Sequence, residues 1–201
     1  ILAMGGSRGF NPETIILGGV TLGFMFQAGI TILQYFATDI AIAAAIFWTF
    51  GDLGRVSWNE GMIIAVVVIV SCAYFFIRRW DYNALDSGDE AAKSLGVDTK
   101  RVRLTGLLLS SLITAICVSF MGVISFIGLL GPHMMRRILG SDHRFLIPAS
   151  MLAGSLLLLI ADTLARKLIS PVVLPVGALT SLLGAPLFLY LLLRGMKGSR
   201  R

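Results

Sequence analysis

Apolar residues in this chain form long continuous blocks that lack a polar face. A helix needs about 20 apolar residues to cross the hydrocarbon core of a bilayer. Five blocks reach or nearly reach this length, namely residues 15–35, 61–77, 104–120, 146–164 and 176–193. The pattern therefore predicts an all-α membrane protein that crosses the bilayer several times.

Two shorter apolar segments complete the predicted fold. Residues 40–50 are too few to cross the bilayer, and they predict a short external helix. Residues 122–135 must return the chain across the membrane, although they are also few for an ordinary span. Irregular backbone at that depth is tolerated only where protein or a cavity surrounds it. We therefore expect a buried irregular loop and then a short helix that starts near Pro132, which gives about six transmembrane helices.

Charge placement predicts how the chain is oriented. The 201 residues carry a formal net charge of +6, and the basic residues cluster at 78–103, 136–144 and 194–201. Positive charge beside short loops marks the cytoplasmic side of a membrane protein. We therefore place the loop 81–103 and the carboxyl-terminal tail in the cytoplasm. The charge does not predict nucleic-acid binding, because the basic residues do not form one patch with interleaved aromatic residues.

The sequence lacks the residue patterns of an enzyme or a metal centre. Cys72 and Cys117 lie inside apolar blocks, where they are typical packing residues. His133, Asp142 and His143 lack the i, i+4 histidine spacing of a helical zinc site. We therefore predict no catalytic residue, no metal and no bound cofactor. There is no Walker motif either, so any ATP hydrolysis must come from another chain.

The loop 81–103 carries signals for helix boundaries. Ser87 and Glu90 fit a capping box at the start of a short helix. Gly96 suits the left-handed end of that helix, and Asp98 can cap the next one. A loop with this much predicted structure fits either a solvated connector or a docking element for a cytoplasmic partner.

Three segments carry a specific resemblance. They read GDEAAKSLGV at 88–97, GVISFIGLLGPHMMRRILGSDHRFLIPAS at 122–150 and ADTLARKLISPVVLPVGALTSLLGAPLFLYLLLR at 161–194. They closely resemble the iron-chelate and cobalamin permeases of ATP-binding-cassette (ABC) importers, the FecCD type. The resemblance covers nearly the whole chain, which matches roughly the last six of the family's ten helices. Residues 1–201 are thus expected to form one transmembrane permease domain, either a fragment or a shortened form of a longer permease.

The resemblance implies a permease subunit without enzymatic activity in a bacterial or archaeal cytoplasmic membrane. Such permeases are homodimers embedded in lipid, and they pair with a cytoplasmic ATP-binding subunit that uses the ATP. An extracytoplasmic binding protein delivers the ferric siderophore, haem or cobalamin. An ion-coupled carrier or a channel is the alternative function, although the spans hold almost no ionisable residue. An intramembrane enzyme would need paired catalytic groups, which the spans lack.

The resemblance also assigns contacts with partner proteins. The short helix of the loop would be the coupling helix that sits in a groove of the ATP-binding subunit. Its residues are Gly88, Asp89, Glu90, Ala91, Ala92, Leu95 and Gly96. The binding protein would dock at Arg166, where family members carry a matching arginine. The alternative for Arg166 is an internal ion pair with Asp162, since the two residues have i, i+4 spacing.

Two polar stripes are candidates for the lining of the substrate pathway. The first consists of Gln27, Thr31 and Gln34, which share one face of a helix because they recur at i, i+4 and i+7. The alternative role of this stripe is hydrogen bonding between helices. The second stripe consists of Gly177, Thr180, Ser181 and Gly184. Its alternative role is close packing of helices. By the resemblance, the inner gate falls in the glycine-rich stretch 5–12, with Gly6, Ser7, Arg8 and Asn11 as candidates.

Overall fold

The computed structural model describes residues 12–169 and 172–198, and these residues contain no β-strand. The α-helices are α1 (Pro12–Tyr35), α2 (Asp39–Thr49), α3 (Trp58–Ile77), α4 (Arg79–Asp86), α5 (Asp89–Ser94), α6 (Thr99–Met121), α7 (Ile127–Leu139), α8 (His143–Lys167) and α9 (Val176–Gly198). A single turn of 3₁₀ helix at Leu53–Arg55 separates α2 from α3. The predicted all-α class is confirmed.

Four helices in the described ranges are long and apolar enough to cross a membrane. Their apolar lengths are Ile16–Tyr35, Trp58–Ile77, Thr99–Met121 and His143–Lys167. They correspond to the first four predicted blocks. The fifth block forms α9, whose described apolar part is the shorter helix Val176–Tyr190. The short helices expected around residues 40–50 and after residue 122 are α2 and α7, while the total of six crossings stays a prediction.

The residues group into two compact units, Ile1–Phe47 and Trp48–Arg201. In the first unit, α1 exposes large apolar side chains along its length, Phe24 and Leu33 among them. The hydroxyl groups of Thr21 and Thr31 donate to carbonyl oxygens one turn earlier in the same helix. Such internal bonds satisfy polar groups on a helix that faces an apolar environment.

The core of the second unit lies where α8 meets the start of α9. Ala161, Ala165, Val176 and Leu179 are its buried residues. The N–H group of Leu174 donates to the carbonyl oxygen of Ala165 at 3.0 Å, which ties the segment before α9 to α8. Because two of these residues are alanines, the backbones can approach closely, as helices in membranes commonly do.

The helix α7 begins five residues before the predicted start at Pro132, so that prediction is wrong. Phe126 has a left-handed backbone with φ of 67°, and its carbonyl oxygen accepts from the N–H groups of Leu129 and Leu130. This turn starts the helix at Ile127 and leaves Pro132 inside it. Proline favours the first turn of a helix, which is why the sequence predicts a start near Pro132. A phenylalanine gives no sequence signal for a left-handed turn, since glycine is the usual residue there.

An irregular segment precedes α7, as predicted, and three separate parts of the second unit meet at it. The N–H group of Asp52 donates to the carbonyl oxygen of Met121 at 2.9 Å. The N–H group of Gly177 donates to the carbonyl oxygen of Phe50 at 3.1 Å. We call residues 48–52, 121–126 and 176–184 together the interior junction. These backbone groups find partners within the protein, as irregular backbone at membrane depth requires.

Candidate functional site

The segment between the spans α3 and α6 contains two short helices, where one was predicted. The additional helix, α4, follows α3 directly and ends at Asp86; the next residue, Ser87, caps it, and its N–H group donates to the carbonyl oxygen of Ala84. The turn to α5 is made by Gly88, which has φ of 103°. A glycine adopts this conformation without the steric penalty that a side chain would bring.

The predicted capping box between Ser87 and Glu90 does not form. Ser87 has helical backbone angles because it completes α4, whereas an N-cap residue needs an extended conformation. Gly88 is the N-cap of α5 and offers no side chain. The same Ser-x-x-Glu pattern does form a capping box at the start of α3, which sequence reasoning missed. There Ser57 and Glu60 exchange hydrogen bonds between side chain and backbone.

The carboxyl-terminal end of α5 has the predicted glycine stop. Gly96 has φ of 83°, and its N–H group donates to the carbonyl oxygen of Lys93. The N–H group of Val97 reaches back to Ala92 at 3.0 Å. These two bonds form a Schellman motif, which satisfies carbonyl groups at a helix end. The predicted cap of α6 is also present, because the Asp98 carboxylate accepts from the N–H group of Arg101 at 3.1 Å.

The helix α5 is anchored on one side and open on the other. Ala92 is fully buried, while Leu95 is 71% exposed. An ion pair joins α5 to α6, with 2.6 Å between Asp89 Oδ1 and Arg103 Nη2. Both side chains are partly exposed, so this pair stabilises the arrangement by at most about 1 kcal/mol. The contact fixes the position of α5 while leaving its outer face available to another protein.

Asn83, in the middle of α4, connects that helix to the start of α8. Its Nδ2 group donates to Asp142 Oδ1 at 2.9 Å, and its Oδ1 accepts from the His143 N–H group at 2.7 Å. His143 Nδ1 also lies 2.9 Å from Asn83 Oδ1 and 3.7 Å from Asp86 Oδ2. We call this arrangement the Asn83 bridge.

The Asn83 bridge also affects the acidity of Asp142. The carboxylate of Asp142 accepts from the Asn83 amide and from the N–H group of Arg144, which lies at 2.9 Å. These hydrogen bonds favour the charged form, so they hold the pKa of Asp142 below its ordinary value. Sequence reasoning considered Asp142 and His143 only as metal ligands, and it missed the bridge because Asn83 lies far from them in the chain.

Tyr82, next to Asn83, packs α4 against two neighbouring helices. Its ring centroid lies 5.9 Å from that of His143 in α8. A Cβ atom at Gly106 in α6 would lie 2.6 Å from the Tyr82 hydroxyl oxygen, so a side chain there would force the Tyr82 ring to shift. Burial raises the pKa of the Tyr82 phenol to about 12. The helix α4 is therefore held between α6 and α8.

The histidines His133 and His143 have partners other than a shared metal site. His133 lies edge-on to Phe188, with ring centroids 5.5 Å apart. His143 belongs to the Asn83 bridge. Across residues 12–169 and 172–198, no three or more histidine, cysteine or acidic side chains are placed to hold a metal ion.

The first polar stripe occupies one face of α1, as its spacing requires. The Thr31 hydroxyl donates to the carbonyl oxygen of Gln27 at 3.0 Å. Gln27 and Thr31 are exposed in the chain, and Gln34 is partly exposed. This face therefore keeps polar groups available, and its role in lining a pathway stays a prediction.

The second polar stripe takes part in the interior junction. Thr180 is only 3% exposed, and both Thr180 and Ser181 donate their hydroxyl hydrogens to the carbonyl oxygen of Gly177. A Cβ atom at Gly177 would lie 2.5 Å from the Phe50 carbonyl oxygen, and one at Gly184 would lie 2.5 Å from Phe126 Cβ. Both glycines are thus needed for close packing inside this chain. Whether the stripe also lines a pathway stays a prediction.

Arg166 makes the internal ion pair with Asp162. Its Nε donates to Asp162 Oδ2 at 2.9 Å, and its Nη2 donates to Oδ1 at 3.1 Å. The guanidinium group also borders the 3₁₀ turn, since a Cβ atom at Gly54 would lie 3.5 Å from Nη2. The Arg166 side chain is still 47% exposed. Pairing and a contact with another protein are therefore compatible. The gate candidates Gly6, Ser7, Arg8 and Asn11 lie outside the described residues.

The chain is similar to permeases over most of its length. A protein of Methanocaldococcus jannaschii named as an ABC transporter permease is 56% identical over 197 residues, which are 98% of this chain and 56% of that protein. The hemin transport system permease protein of Yersinia pestis is 39% identical over 184 residues, which are 92% of this chain and 55% of that protein. The chain thus spans just over half the length of these relatives.

A solved structure extends the likeness to the fold. It is described as an inward-facing conformation of a metal-chelate type ABC transporter, and it superposes with a TM-score of 0.86 at 31% identity. The match covers 95% of this chain and 63% of the solved chain. Together with the apolar helices, this likeness makes the chain an integral membrane protein. The model of the FecCD transport family matches residues 1–194, and the chain belongs to that family.

Proposed function

We propose that the chain is a transmembrane permease subunit of an ABC importer for a metal chelate of the ferric siderophore, haem or cobalamin class. The observation that carries the proposal is the family match along residues 1–194. Relatives named for hemin and for vitamin B12 support the substrate class. The chain itself binds no cofactor and performs no catalysis, and ATP is hydrolysed by a separate ATP-binding subunit.

The helix α5 is the coupling helix in this proposal. Its residues Gly88, Asp89, Glu90, Ala91, Ala92, Leu95 and Gly96 contact the ATP-binding subunit. The Schellman motif and the pair between Asp89 and Arg103 support this role, because they order α5 before any partner arrives. Such order lowers the entropy that binding must overcome. The exposed Leu95 supplies an apolar contact at the end of the helix.

The remaining partners follow from orientation. Basic residues support a position for α4, α5 and the carboxyl-terminal tail on the cytoplasmic side of a bacterial or archaeal membrane. Arg166, on the opposite end of α8 from His143, then receives the extracytoplasmic binding protein. A second copy of the permease completes the pathway, and the stripe of Gln27, Thr31 and Gln34 lines it. The inner gate lies at Gly6, Ser7, Arg8 and Asn11.

Copurification with the ATP-binding subunit of the same transport system tests the proposal. We expect the chain to retain that subunit, and Leu95→Ala to weaken the association. Leu139→Ala is the matched control, since Leu139 is also exposed and also precedes a glycine with positive φ. Equal retention by both variants would contradict the coupling role of α5.

Transport separates the two function classes. In proteoliposomes that hold the chain with its partners, we expect uptake of a labelled ferric chelate to require ATP. Uptake that followed an ion gradient without the ATP-binding subunit would support the ion-coupled carrier instead. In that case α5 would be a solvated connector.

A further inference from the structure

The Asn83 bridge joins α4 by hydrogen bonds to a span that is distant in the chain. The amide of Asn83 uses its donor on Asp142 and its acceptor on His143, which are 59 and 60 residues away. Asp142 is the N-cap of α8, and His143 is its first residue. One side chain therefore holds the amino-terminal end of a membrane-spanning helix.

The other contacts of α4 support the same attachment. The Tyr82 ring packs on the ring of His143, and Asp86 lies 3.7 Å from His143 Nδ1. Consecutive turns of α4 thus contact the same end of α8. By contrast, α5 is joined to α4 through Ser87 and Gly88, and to α6 through the pair of Asp89 and Arg103.

The helix α8 continues from this end to the interior junction. Ala161 and Ala165 near its other end pack against Val176 and Leu179 of α9. The backbone hydrogen bonds of α8 connect its two ends, apart from Pro148 in its second turn, which has no N–H group to donate. The contacts therefore form a continuous physical route from α4, through α8, to the start of α9.

We propose that Asn83 is a positioning residue that makes α4 and the start of α8 move as one body. When an ATP-binding subunit displaces α5, the Asn83 bridge passes that displacement to the α8 span. This inference rests on the proposed function for the source of the motion. The attachment itself is a property of the chain alone, so it can be tested separately.

Distances between spin labels test the attachment in the full chain. With Cys72 and Cys117 replaced by alanine, one label at Lys93→Cys reports on α5 and a second at Leu152→Cys reports on α8. We expect one narrow distance distribution, which Asn83→Ala broadens. A control pair with labels at Lys93→Cys and Leu112→Cys, between α5 and α6, keeps its distribution.

Asn59→Ala is the matched substitution, because Asn59 is exposed on α3. It is expected to leave both distributions unchanged. An unchanged distribution between α5 and α8 in Asn83→Ala would overturn the proposal. So would equal broadening of both pairs, since that result would show a general loss of structure.

A reversed hydrogen bond gives a second, independent test. Asn83→Asp places a carboxylate against the Asp142 carboxylate, so we expect it to broaden the distance between α5 and α8. Adding Asp142→Asn supplies an amide donor opposite the new acceptor, and we expect the double variant to recover the narrow distribution in part, because the same Asp142 Oδ1 also accepts from the Arg144 N–H group. A side chain needed only for its volume would tolerate Asn83→Asp, since aspartate has nearly the same size, so an unbroadened distribution in that variant would overturn the proposal, as would the absence of any rescue.

ATP addition to the complex with the ATP-binding subunit then tests transmission. In the wild type we expect α5 and α8 to move together, so their distance stays constant while other distances change. In Asn83→Ala, ATP should change the distance between α5 and α8, and chelate uptake should fall although the subunit still binds. A wild-type chain that failed to bind the subunit would contradict the proposed function while leaving the test without ATP valid. An ATP-dependent change in the wild-type distance would overturn the transmission.

Discussion

The α4–α5 segment, residues 79–98, and the interior junction both interrupt the long helices, but different contacts hold them. In the α4–α5 segment, side chains of Asn83, Asp89 and Asp98 make hydrogen bonds and ion pairs near the surface. In the interior junction, backbone groups meet directly, and Gly177 and Gly184 leave the space that this approach requires. One region depends on polar side chains and the other depends on the absence of side chains.

The difference determines how each region responds to force or mutation. A surface pair or a cap contributes about 1 kcal/mol, so single contacts of the α4–α5 segment can be exchanged at small cost. A backbone group that loses its partner away from water costs more, about 1–3 kcal/mol for each group. The α4–α5 segment thus suits a region that another protein displaces, whereas the interior junction suits a fixed support.

Gly177→Ala is expected to produce the largest effect. Its Cβ atom would lie 2.5 Å from the Phe50 carbonyl oxygen, and the Val123 carbonyl oxygen also obstructs it. Both obstacles are backbone atoms, so we expect a loss of about 3 kcal/mol or more in the free energy of unfolding. Thermal unfolding in detergent measures it. Gly128→Ala, at a helical site with no atom within 4 Å, should be neutral or slightly stabilising. Equal midpoints for the two variants would contradict the role of the interior junction.

Asn83→Ala comes second, and its effect depends on pH. Loss of the Asn83 acceptor leaves the His143 N–H group without this partner, which costs about 1–2 kcal/mol. In addition, the pKa of Asp142 lies below its ordinary value of 3.8 because the carboxylate accepts from Asn83. A lowered pKa stabilises the folded state above pH 3.8, and this stabilisation is lost as the pH falls through the folded-state pKa.

The free energy of unfolding, measured from neutral pH to pH 3, checks the direction of this pH dependence. The destabilisation caused by Asn83→Ala should be largest near neutral pH and should shrink as the pH falls below the ordinary pKa of Asp142. Asn59→Ala should show no such dependence. A destabilisation that grew on acidification would contradict the hydrogen bond between Asn83 and Asp142.

Asp98→Ala is expected to have a smaller and more local effect. The variant removes the side chain that accepts from the Arg101 N–H group, so it should cost about 1 kcal/mol. Ser87→Ala in the same segment should be neutral, because the Ser87 side chain makes no capping bond to α5. Hydrogen exchange of the first-turn amides of α6 reports the difference. If Ser87→Ala cost as much stability as Asp98→Ala, that result would indicate that Ser87 does cap α5 and would contradict the structure.

Arg166→Gln is expected to change stability least, since the Arg166 side chain is 47% exposed and glutamine still offers Asp162 an amide donor. If the binding protein docks there, its association rate should fall, and more so at low salt because the contact is electrostatic. Arg55→Gln is the matched control, since Arg55 is also partly exposed and lies 3.8 Å from Asp52. A similar loss for both variants would indicate general charge attraction rather than docking at Arg166.

Local chemistry made some features predictable from the sequence. Gly96 and Asp98 were identified correctly because a helix stop and a helix cap depend on a few neighbouring residues. The long apolar blocks identified the spans for the same reason. The predictions at Ser87 and Pro132 are wrong. Ser87 fits either the end of one helix or the cap of the next, and Pro132 fits either the start or the interior of a helix, so the neighbouring backbone decides. In both cases a turn at the adjacent or a nearby residue, Gly88 or Phe126, determined the outcome.

Features that join distant parts of the chain could not be predicted in this way. Asn83 is an ordinary polar residue until the fold brings Asp142 and His143 to it. The stripe of Gly177 and Gly184 indicated close packing, but it did not identify Phe50 and Phe126 as the partners. The coupling role proposed for α5 comes from the family resemblance, since nothing in the residues themselves separates a coupling helix from a connector.

The bond from Gly177 to Phe50 has a consequence for biogenesis. The ribosome synthesises the segment around Phe50 long before it synthesises α9, which follows every other described helix. Until α9 enters the membrane, the Phe50 carbonyl oxygen lacks this donor and Phe126 lacks the surface of Gly184. Insertion of α9 therefore closes the interior junction, and a nascent chain halted before Gly177 would present an incomplete interior to the proteases that monitor membrane proteins.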